Sequence, residues 1–317
     1  MKKLKLVMIG NGMAGVRTLE ELLKLTNELY DITVFGAEPH PNYNRILLSP
    51  VLAGEQQFEE IVLNDLDWYA ENGIRLMLKR KVVKIDRARR RVIADDGSEA
   101  EYDRLLIATG SNPFILPIPG NDLQGVIGYR DIADTQVMME TAKTHKHAVV
   151  IGGGLLGLEA ANGLKLRGMD VTVVHIGDWL MERQLDPAAG YLLQRDLEKR
   201  GITVHCKGAT KAILGHDRAE AVLLEDGTVY PADLVCMAVG IRPETRLAND
   251  AHLEVERGIV VDDAMRTSDP HIFALGECVE HRGQLFGLVA PLYDQARVLA
   301  RTLLDQDAAF VPVQTAT

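Results

Sequence analysis

The sequence has few of the residues that mark disulfide-rich, metal-binding or nucleic-acid-binding proteins. Only three of its 317 residues are cysteines, Cys206, Cys236 and Cys278, and they are never spaced as C-x-x-C. This scatter argues against a disulfide framework, a zinc site or an iron–sulfur cluster, so we expect no metal site in the chain. Basic residues number 35 and acidic residues 45, which gives a net charge of −10. A dedicated nucleic-acid binder usually carries a basic face, so that class is disfavoured.

Long hydrophobic runs are also lacking. No stretch of about 18 apolar residues occurs, so the sequence predicts no membrane-spanning helix. The opening residues MKKLKLVMIG imitate a secretory signal, but Gly10 and Gly12 end the apolar run early and no small-residue cleavage site follows. We therefore expect a buried strand here, and the scattered cysteines favour a protein of the reducing cytoplasm. The composition, 47% apolar and 25% charged, is that of an ordinary globular chain, and the length favours about two domains.

One local pattern occurs twice in the chain. It consists of a short apolar run, a G-x-G-x-x-G turn, a helical pattern and a second apolar run. The apolar runs lie at residues 4–9 and 32–35 in the first copy and at 148–151 and 171–174 in the second. The turns are formed by Gly10, Gly12 and Gly15 and by Gly152, Gly154 and Gly157. Strand, glycine turn, helix and strand in this order are the context in which the motif binds a dinucleotide.

The similarity of the two copies continues downstream. Asp96-Gly97 and Asp226-Gly227 each lie between alternating strand-like runs, which is typical of a tight hairpin. Thirteen residues after each hairpin glycine, an apolar strand ends at Gly110 or Gly240. A repeat of about 130 residues therefore covers most of the chain. It predicts an α/β fold with two Rossmann-like dinucleotide-binding domains.

The glycine turns are the predicted phosphate sites. The first glycine permits the sharp turn, the second lets the backbone approach a pyrophosphate, and the third lets the helix pack on the strand. Free N–H groups and the positive end of the helix then hold the phosphates. The alternative is that these glycines only form tight turns. The predicted cofactor-binding residues are Gly10, Gly12, Met13, Ala14 and Gly15 in the first copy and Gly152, Gly154, Leu155, Leu156 and Gly157 in the second.

Ribose recognition is expected from an acidic residue near the end of the second strand. In the first copy Glu38 lies just beyond that strand, with a solvated loop carboxylate as the alternative. In the second copy His175 takes the position. The position thus lacks the carboxylate that favours an unphosphorylated ribose, and it also lacks an adjacent arginine for a 2′-phosphate. NADH is the preferred second cofactor, and NADPH stays open.

With these motifs the sequence resembles the two-dinucleotide flavoprotein reductases, the family related to glutathione reductase and ferredoxin reductase. Besides the first glycine turn, the resemblance is carried by residues 102–111, 152–159 and 267–278. It implies a glutathione-reductase-like fold in which the first site binds FAD, the second binds NAD(P)H, and the NAD domain is inserted into the FAD domain. The further cofactor-binding positions that it implies are Val82, Thr109, Gly110, Gly240, Gly276 and Glu277, the last of which stands where the family most often has Asp.

Three more segments resemble one branch of this family, the FAD/NAD(P)H module of the large subunit of assimilatory nitrite reductase. They are residues 43–49, 180–186 and 286–291. In that branch iron–sulfur and sirohaem parts follow the module, and the sequence has no cysteine cluster to hold them. We therefore expect a shortened or excised module whose electrons leave for a metal centre elsewhere. A stand-alone rubredoxin or ferredoxin reductase serving a small electron carrier, and a non-enzymatic redox sensor that binds FAD and NAD, stay open as alternatives.

The expected chemistry is hydride transfer from nicotinamide to flavin, which requires no acidic or basic side chain. Disulfide chemistry would need a cysteine near residues 43–49, and the first one is Cys206.

Glu159 is a candidate catalytic residue, although the lysine with which relatives pair it is replaced by Pro50, and a plain helix-face carboxylate is equally expected. Arg45 is a candidate for FAD phosphate or flavin contact, because a guanidinium binds phosphate bidentately. Its alternative is a solvated loop charge.

The predicted domain boundaries follow the proline and glycine positions. The FAD-binding domain would comprise residues 1–115 and 246–317, and the NAD(P)H-binding domain residues 116–245. In the returning part, Pro291 is predicted to open the final helix, whose N-terminus would stabilise negative charge on the reduced flavin, with an ordinary surface helix as the alternative. The oligomeric state is left open.

Overall fold

The computed structural model describes residues 3–312, which form both strands and helices. The strands are β1 (Leu4–Ile9), β2 (Tyr30–Gly36), β3 (Asn42–Tyr43), β4 (Val62–Asn64), β5 (Arg75–Leu78), β6 (Val82–Asp86), β7 (Arg91–Ala94), β8 (Glu99–Glu101), β9 (Arg104–Ile107), β10 (Ser111–Pro113), β11 (Val126–Ile127), β12 (His147–Ile151), β13 (Asp170–Val174), β14 (Ile202–His205), β15 (Thr210–Gly215), β16 (Ala219–Leu224), β17 (Val229–Pro231), β18 (Leu234–Met237), β19 (Ile241–Pro243), β20 (Ile259–Val261), β21 (Ile272–Ala274), β22 (Val279–His281) and β23 (Gln284–Leu285). The helices are α1 (Met13–Leu25), α2 (Leu48–Ala53), α3 (Leu66–Glu71), α4 (Ile132–Thr144), α5 (Leu155–Leu166), α6 (Pro187–Lys199), α7 (Arg246–Asp250) and α8 (Val289–Thr302). Short 3₁₀ turns occur at Arg45–Leu47 and Phe58–Ile61.

The chain divides into two compact units. Unit 1 comprises the described residues up to Asn44, Val62–Asn112 and the described residues from Arg242 onward. Unit 2 comprises Arg45–Ile61 and Pro113–Ile241.

Unit 1 is built on a five-stranded sheet. Its strands lie in the order β21, β9, β1, β2 and β5, and every neighbouring pair is parallel. In β1 the successive residues Leu6, Val7 and Met8 are all at most 1% exposed. Burial of both faces is typical of an all-parallel sheet and explains why this strand is a continuous apolar run rather than an alternating one.

Unit 2 repeats this sheet. Its strands lie in the order β11, β18, β12, β13 and β14, again all parallel. Each unit adds an antiparallel three-stranded sheet, β6–β8 in unit 1 and β15–β17 in unit 2. The predicted hairpins at Asp96-Gly97 and Asp226-Gly227 connect the last two strands of these sheets. The predicted α/β fold with two Rossmann-like units is therefore confirmed.

Each unit has its own buried core, as an independent domain requires. The unit 1 core includes Leu6, Val34, Leu105, Phe273 and Leu299. The unit 2 core includes Val149, Val174, Val222, Val235 and Met237.

The division of the chain differs from the predicted boundaries. The crossings fall between residues 112 and 113 and between 241 and 242, a few residues before the positions expected from the prolines. In addition, Arg45–Ile61, which the sequence groups with the first domain, packs within unit 2. Arg167 on α5 explains this placement, because its Nε and Nη2 donate hydrogen bonds to the carbonyl oxygens of Leu52 and Val51 at 2.7 and 3.0 Å.

The final helix also begins earlier than predicted. α8 begins at Val289, so Pro291 does not open it and lies instead in its first turn. The residues at this end of a helix have no intrahelical partner for their N–H groups, so a proline costs no hydrogen bond there.

Candidate dinucleotide-binding sites

The first glycine turn, between β1 and α1, admits only glycine at two positions. Gly10 has a φ of +106°, and a Cβ there would collide with the carbonyl oxygen of Ala108. A Cβ at Gly15 would lie 2.9 Å from the Cβ of Ala108 and 2.9 Å from the Sδ of Met8. The absence of side chains thus lets the turn and α1 pack directly against the sheet.

The N-terminus of α1 is suited to an anion. Gly12 is its N-cap, no side chain of the described residues caps it, and its first turn contains no acidic residue. A Cβ built at Gly12 would meet no atom of the described chain within 4 Å. The N–H groups of Met13 and Ala14, the first two residues of the helix, are therefore left for a ligand such as a pyrophosphate.

The second glycine turn repeats this geometry in unit 2. Gly152 has a φ of +122°, and a Cβ there would collide with the carbonyl oxygen of Ala238. A Cβ at Gly157 would collide with the carbonyl oxygen of Gly152. Gly154 is the N-cap of α5, again without a side-chain cap or an acidic first turn, and a Cβ there meets nothing within 4 Å in the described part of the chain.

Three other predicted NAD(P)H contacts follow the second turn or the neighbouring strand. Leu155 and Leu156, in the first turn of α5, are 60% and 40% exposed although they are apolar. Gly240 follows β18 with a φ of +121°, and no atom of residues 3–312 lies within 4 Å of a Cβ built on it. Glycine is therefore favoured at this position by backbone conformation rather than by space.

His175, the predicted ribose position, is buried, with 6% of its surface exposed. Its Nδ1 accepts a hydrogen bond from the N–H of Gly153 at 3.1 Å, and its Nε2 lies 2.8 Å from Oε2 of Glu182. His175 thus supports the glycine turn and contacts Glu182, which was not among the predicted site residues. Glu182 follows His175 by seven positions and lies within residues 180–186, a segment that carries the resemblance to nitrite reductase. Direct contact of His175 with a nucleotide stays a prediction.

Glu38 lies just beyond β2 in unit 1. The hydroxyl of Tyr43 donates to Oε2 of Glu38 at 2.7 Å, and the carbonyl oxygen of Glu38 accepts from the N–H of Lys79 at 3.2 Å. Both the side chain and the backbone are therefore held at the carboxyl edge of the sheet. This is the edge at which doubly wound folds bind the ribose of a dinucleotide.

The residues that follow β9 and β21 form a second group at the carboxyl edge of unit 1. The carbonyl oxygen of Gly110 accepts from the N–H of Glu244 at 2.9 Å. Thr109 Oγ1 donates to the carbonyl oxygen of Glu244 at 3.0 Å. Oε2 of Glu277 accepts from Oγ of Ser111 at 2.8 Å. Hydrogen bonds between segments far apart in sequence thus fix the predicted flavin-side positions.

Gln295, on α8, was missed by the sequence analysis. It is fully buried, and its Oε1 accepts from the N–H of Gly276 at 2.9 Å, while its Nε2 has no partner among the described residues. A Cβ at Gly276 would lie 3.3 Å from the Cβ of Ala14, in the first turn of α1. A buried amide donor without a partner so near the first glycine turn fits a site for a ligand with acceptor groups. In the sequence, the sign of this role is that Gln295 is a polar residue beside Leu292 and Ala296, which are apolar and buried.

The remaining predicted FAD contacts do not all lie in one unit. Val82 begins β6 in unit 1 and is 3% exposed, so its side chain belongs to the core. Pro291 is also in unit 1, whereas Arg45 lies in unit 2. There Nη1 of Arg45 donates to the carbonyl oxygen of Arg130 at 3.1 Å.

Glu159, the candidate catalytic residue, has a serine as its partner in unit 2. Ser49 Oγ donates to Oε2 of Glu159 at 2.7 Å, and the hydroxyl of Tyr129 donates to Ser49 Oγ at 3.4 Å. Burial raises the pKa of Tyr129, so this chain of hydroxyls stays protonated. In the same unit, burial and the neighbouring Asp131 raise the pKa of Asp134 to about 6.

The thiols are poorly suited to redox chemistry. Cys236 and Cys278 are fully buried, and burial raises the pKa of Cys236 to about 12 and also raises that of Cys278. The pKa of Cys206 is raised by burial and by the nearby carboxylate of Glu182. The thiolate, which is the reactive form, is therefore disfavoured at all three.

Residues 3–312 contain neither a candidate metal site nor a helix suited to span a membrane. No group of three or more His, Cys, Asp or Glu side chains there could hold a metal ion. In the same residues, the helices lack the combined length and apolar character that a bilayer crossing requires.

Comparisons with known proteins agree with this geometry. Over 301 residues the chain is 56% identical to nitrite reductase (NAD(P)H) of Bacillus subtilis, an alignment that covers 95% of this chain and 37% of the relative. Over 300 residues it is 50% identical to the assimilatory nitrate reductase electron transfer subunit of the same organism, covering 95% of this chain and 39% of that protein. The chain thus spans less than 40% of the length of either relative.

A solved structure and a family model extend the comparison to the fold and the family. The ferredoxin reductase of Rhodopseudomonas palustris matches with a TM-score of 0.89 at 29% identity, covering 96% of this chain and 78% of that one. The family model described as pyridine nucleotide-disulphide oxidoreductase matches residues 4–296. This chain belongs to the pyridine nucleotide-disulphide oxidoreductase family.

Proposed function

We propose that this chain binds FAD in unit 1 and NAD(P)H in unit 2 and passes electrons from NAD(P)H through FAD to a metal-centre acceptor, as the electron-input module of a nitrite reductase. The observation that carries the proposal is the pair of uncapped helix N-termini at Gly12 and Gly154. Each follows a turn that packs closely on its own sheet, and each leaves backbone N–H groups for a pyrophosphate.

The residues of unit 1 fit FAD. The turn at Gly12 would hold the pyrophosphate, and Glu38, fixed by Tyr43, would accept hydrogen bonds from ribose hydroxyls. The buried Nε2 of Gln295 and the carboxylate of Glu277 would supply a donor and an acceptor to the rest of the cofactor. When bound, FAD would supply the redox chemistry, namely hydride acceptance from NAD(P)H and one-electron release, and these residues would hold and orient it.

The side chains of this protein serve binding and orientation rather than covalent chemistry. Cys236 and Cys278 are fully buried, and the pKa of each thiol is raised by that burial. A disulfide relay through these residues is therefore disfavoured. Glu159, hydrogen-bonded to Ser49, stays a candidate catalytic residue of unit 2. If it takes part in chemistry, Glu159→Gln should slow flavin reduction at saturating NADH, whereas a purely structural carboxylate should change stability and leave that rate within about twofold.

The acceptor is proposed from the names of the relatives. The Bacillus subtilis proteins are named as a nitrite reductase and as the electron transfer subunit of a nitrate reductase. These names favour a nitrite- or nitrate-reducing centre as the destination of the electrons and nitrate assimilation as the setting. The resemblance of the sequence to nitrite reductase further implies that this centre contains iron–sulfur and sirohaem groups. A second candidate is a reductase of a small electron carrier, which is favoured by the match to 78% of a ferredoxin reductase.

Purification followed by FAD reconstitution tests the core of the proposal. We expect a flavin absorbance spectrum at a stoichiometry of one per chain, and bleaching of that spectrum on anaerobic titration with NADH or NADPH. Failure to bind flavin after reconstitution would refute the proposal. Electron transfer to a purified nitrite-reducing partner, compared with ferredoxin and rubredoxin under the same conditions, distinguishes the two acceptors.

A further inference from the structure

The loop between β13 and α6, residues 176–186, folds back onto the second glycine turn. The N–H of Met181 donates to the carbonyl oxygen of Gly153 at 3.0 Å, and the N–H of Gly153 donates to Nδ1 of His175 at 3.1 Å. A Cβ at Gly153 would lie 2.6 Å from Cδ2 of Leu180. Both backbone polar groups of Gly153 are therefore bonded to His175 or to this loop, and no side chain fits between loop and turn.

The same contacts fix the tautomer of His175. A backbone N–H can only donate, so Nδ1, which bonds to Gly153, must accept and carries no proton. The ring proton is then on Nε2, which donates to Oε2 of Glu182 at 2.8 Å. Gly177 provides the space for this pair, because a Cβ there would lie 2.6 Å from Nε2 of His175 and 3.3 Å from Cδ of Glu182.

Glu182 is held by a buried group and yet remains open to solvent. Its side chain is 39% exposed, whereas that of His175 is 8% exposed. Partial burial alone would raise the pKa of Glu182, but hydrogen bonds from its own backbone and from His175 outweigh burial and hold the pKa below its ordinary value. The carboxylate is thus ionised at neutral pH and restricted in orientation, which is what recognition of hydroxyl groups requires.

The position of this carboxylate matches a known requirement of doubly wound folds. Gly152 donates its N–H to the carbonyl oxygen of Val174, so the end of β13 lies beside the glycine turn. An acidic group at this point binds the ribose hydroxyls of NAD and disfavours the 2′-phosphate of NADP. His175 occupies the strand end, but it is buried and already bonded on both nitrogens.

Resting on the proposed binding of a nicotinamide dinucleotide by unit 2, we propose that Glu182, positioned by His175, accepts hydrogen bonds from the adenosine ribose hydroxyls and makes the site select NADH over NADPH. The neighbouring charges do not oppose this assignment. Lys207 is paired with Asp178 at 3.3 Å. Arg183 is exposed, and its positive charge helps to lower the pKa of Glu182 and so to keep the carboxylate ionised, while His175 fixes the orientation of that carboxylate.

The test uses Glu182→Gln in the flavin-loaded protein, with Asp178→Asn as the matched control. Asp178 is an exposed carboxylate of the same loop that pairs with Lys207 rather than with His175. Calorimetry would measure the Kd of ADP-ribose and of 2′-phospho-ADP-ribose, which report on this site without any flavin chemistry. We expect Glu182→Gln to weaken ADP-ribose binding about tenfold, the effect of losing a charge-assisted hydrogen bond, and to improve the relative binding of the phosphorylated ligand. Asp178→Asn should leave the ratio of the two Kd values unchanged.

A second variant tests the role of His175 without altering either member of the pair. Gly177→Ala places a methyl group against both side chains, and it should lower the ADP-ribose preference in the same direction as Glu182→Gln. In stopped-flow reduction of the flavin, KM for NADH should rise while the rate at saturating NADH stays within about twofold.

Two outcomes would overturn the proposal. The first is an unchanged ligand ratio in Glu182→Gln, whether both ligands keep their affinity or lose it equally, and the second is a wild-type preference for the phosphorylated ligand. Failure of the wild-type protein to bind either ligand would instead refute the nicotinamide site itself, and with it the proposed function of unit 2.

Discussion

Replacing Gly154 with alanine separates a requirement for binding from a requirement for folding. Gly154 has φ −84° and ψ 178°, an extended conformation that alanine adopts without strain. A Cβ there meets no atom of the described chain within 4 Å. Alanine is a poorer N-cap than glycine, so we expect the free energy of unfolding to fall by no more than about 1 kcal/mol. The new methyl group would stand in front of the N–H groups proposed to hold the pyrophosphate.

The expected loss of affinity follows from those N–H groups. A hydrogen bond to a charged group contributes about 1.5–3 kcal/mol, so losing one should raise the Kd of NADH about 10- to 100-fold. FAD content should not change, because the FAD site is proposed in unit 1. Calorimetric titration with ADP-ribose and anaerobic bleaching of the flavin by NADH would measure the effect. Wild-type affinity for NADH in Gly154→Ala would refute the assignment of this helix N-terminus as the phosphate site.

Two matched glycine variants complete the experiment. Gly12→Ala is the counterpart in unit 1, and it should weaken FAD binding while leaving ADP-ribose binding intact. Gly152→Ala should act on folding instead, because φ is +122° and the Cβ would collide with the carbonyl oxygen of Ala238. We expect it to lower the free energy of unfolding by at least about 1–3 kcal/mol in chemical denaturation.

Three further changes test other contacts. Gln295→Leu removes the acceptor for the N–H of Gly276. We expect the free energy of unfolding to fall by about 1–3 kcal/mol and FAD to be lost faster on dialysis. No change in either quantity would contradict a role for this hydrogen bond. For Asp134, the folded-state pKa of about 6 lies above the ordinary 3.8, so its contribution to stability is fully present below pH 3.8 and is lost as pH rises through 6. Asp134→Asn should therefore gain stability relative to wild type between about pH 4 and 7, by about 1–2 kcal/mol once solvent screening of this partly exposed group is allowed for, and a difference in unfolding free energy that is independent of pH would refute this. Burial raises the pKa of Cys206, so iodoacetamide at neutral pH should alkylate this thiol more slowly in the native protein than in the unfolded chain. Flavin reduction should survive the treatment. Rapid inactivation would contradict the proposed chemistry.

The fold could be predicted because its main constraints are local and occur twice. Gly10 and Gly152 are required by the carbonyl oxygens of Ala108 and Ala238, which would collide with any Cβ. Each of these alanines ends a short apolar strand that the sequence also repeats, at the same distance from its hairpin. A turn and its sheet partner therefore leave matching signals in both copies, and the strand order of each unit follows from the motif.

The contacts that were not predicted join residues distant in sequence. Helix α2 belongs to unit 2 because Arg167 bonds to the carbonyl oxygens of Val51 and Leu52, more than 100 positions away. Gln295 is a polar residue of a helix whose partner, Gly276, lies at the end of a strand. Neither spacing nor composition distinguishes such side chains from solvated ones, because the difference is created only when the chain folds.

The two carboxylates proposed to hold ribose show why a rule based on the end of the strand selects one of them and not the other. In unit 1 the carboxylate is Glu38, two residues beyond β2, and the hydroxyl of Tyr43 holds it. In unit 2 the strand end is a histidine, and the carboxylate it holds is Glu182, seven positions further on. Both proposed cofactors contain a pyrophosphate, so the backbone proposed to hold it is constrained in the same way in each unit, and the sequence has the glycines in both copies. Ribose hydroxyls require only an oriented carboxylate at the sheet edge, and a loop that folds back can supply one from outside the strand. An acidic residue that holds ribose can therefore come from the loop that packs on the edge beside the glycine turn as well as from the last residue of the strand.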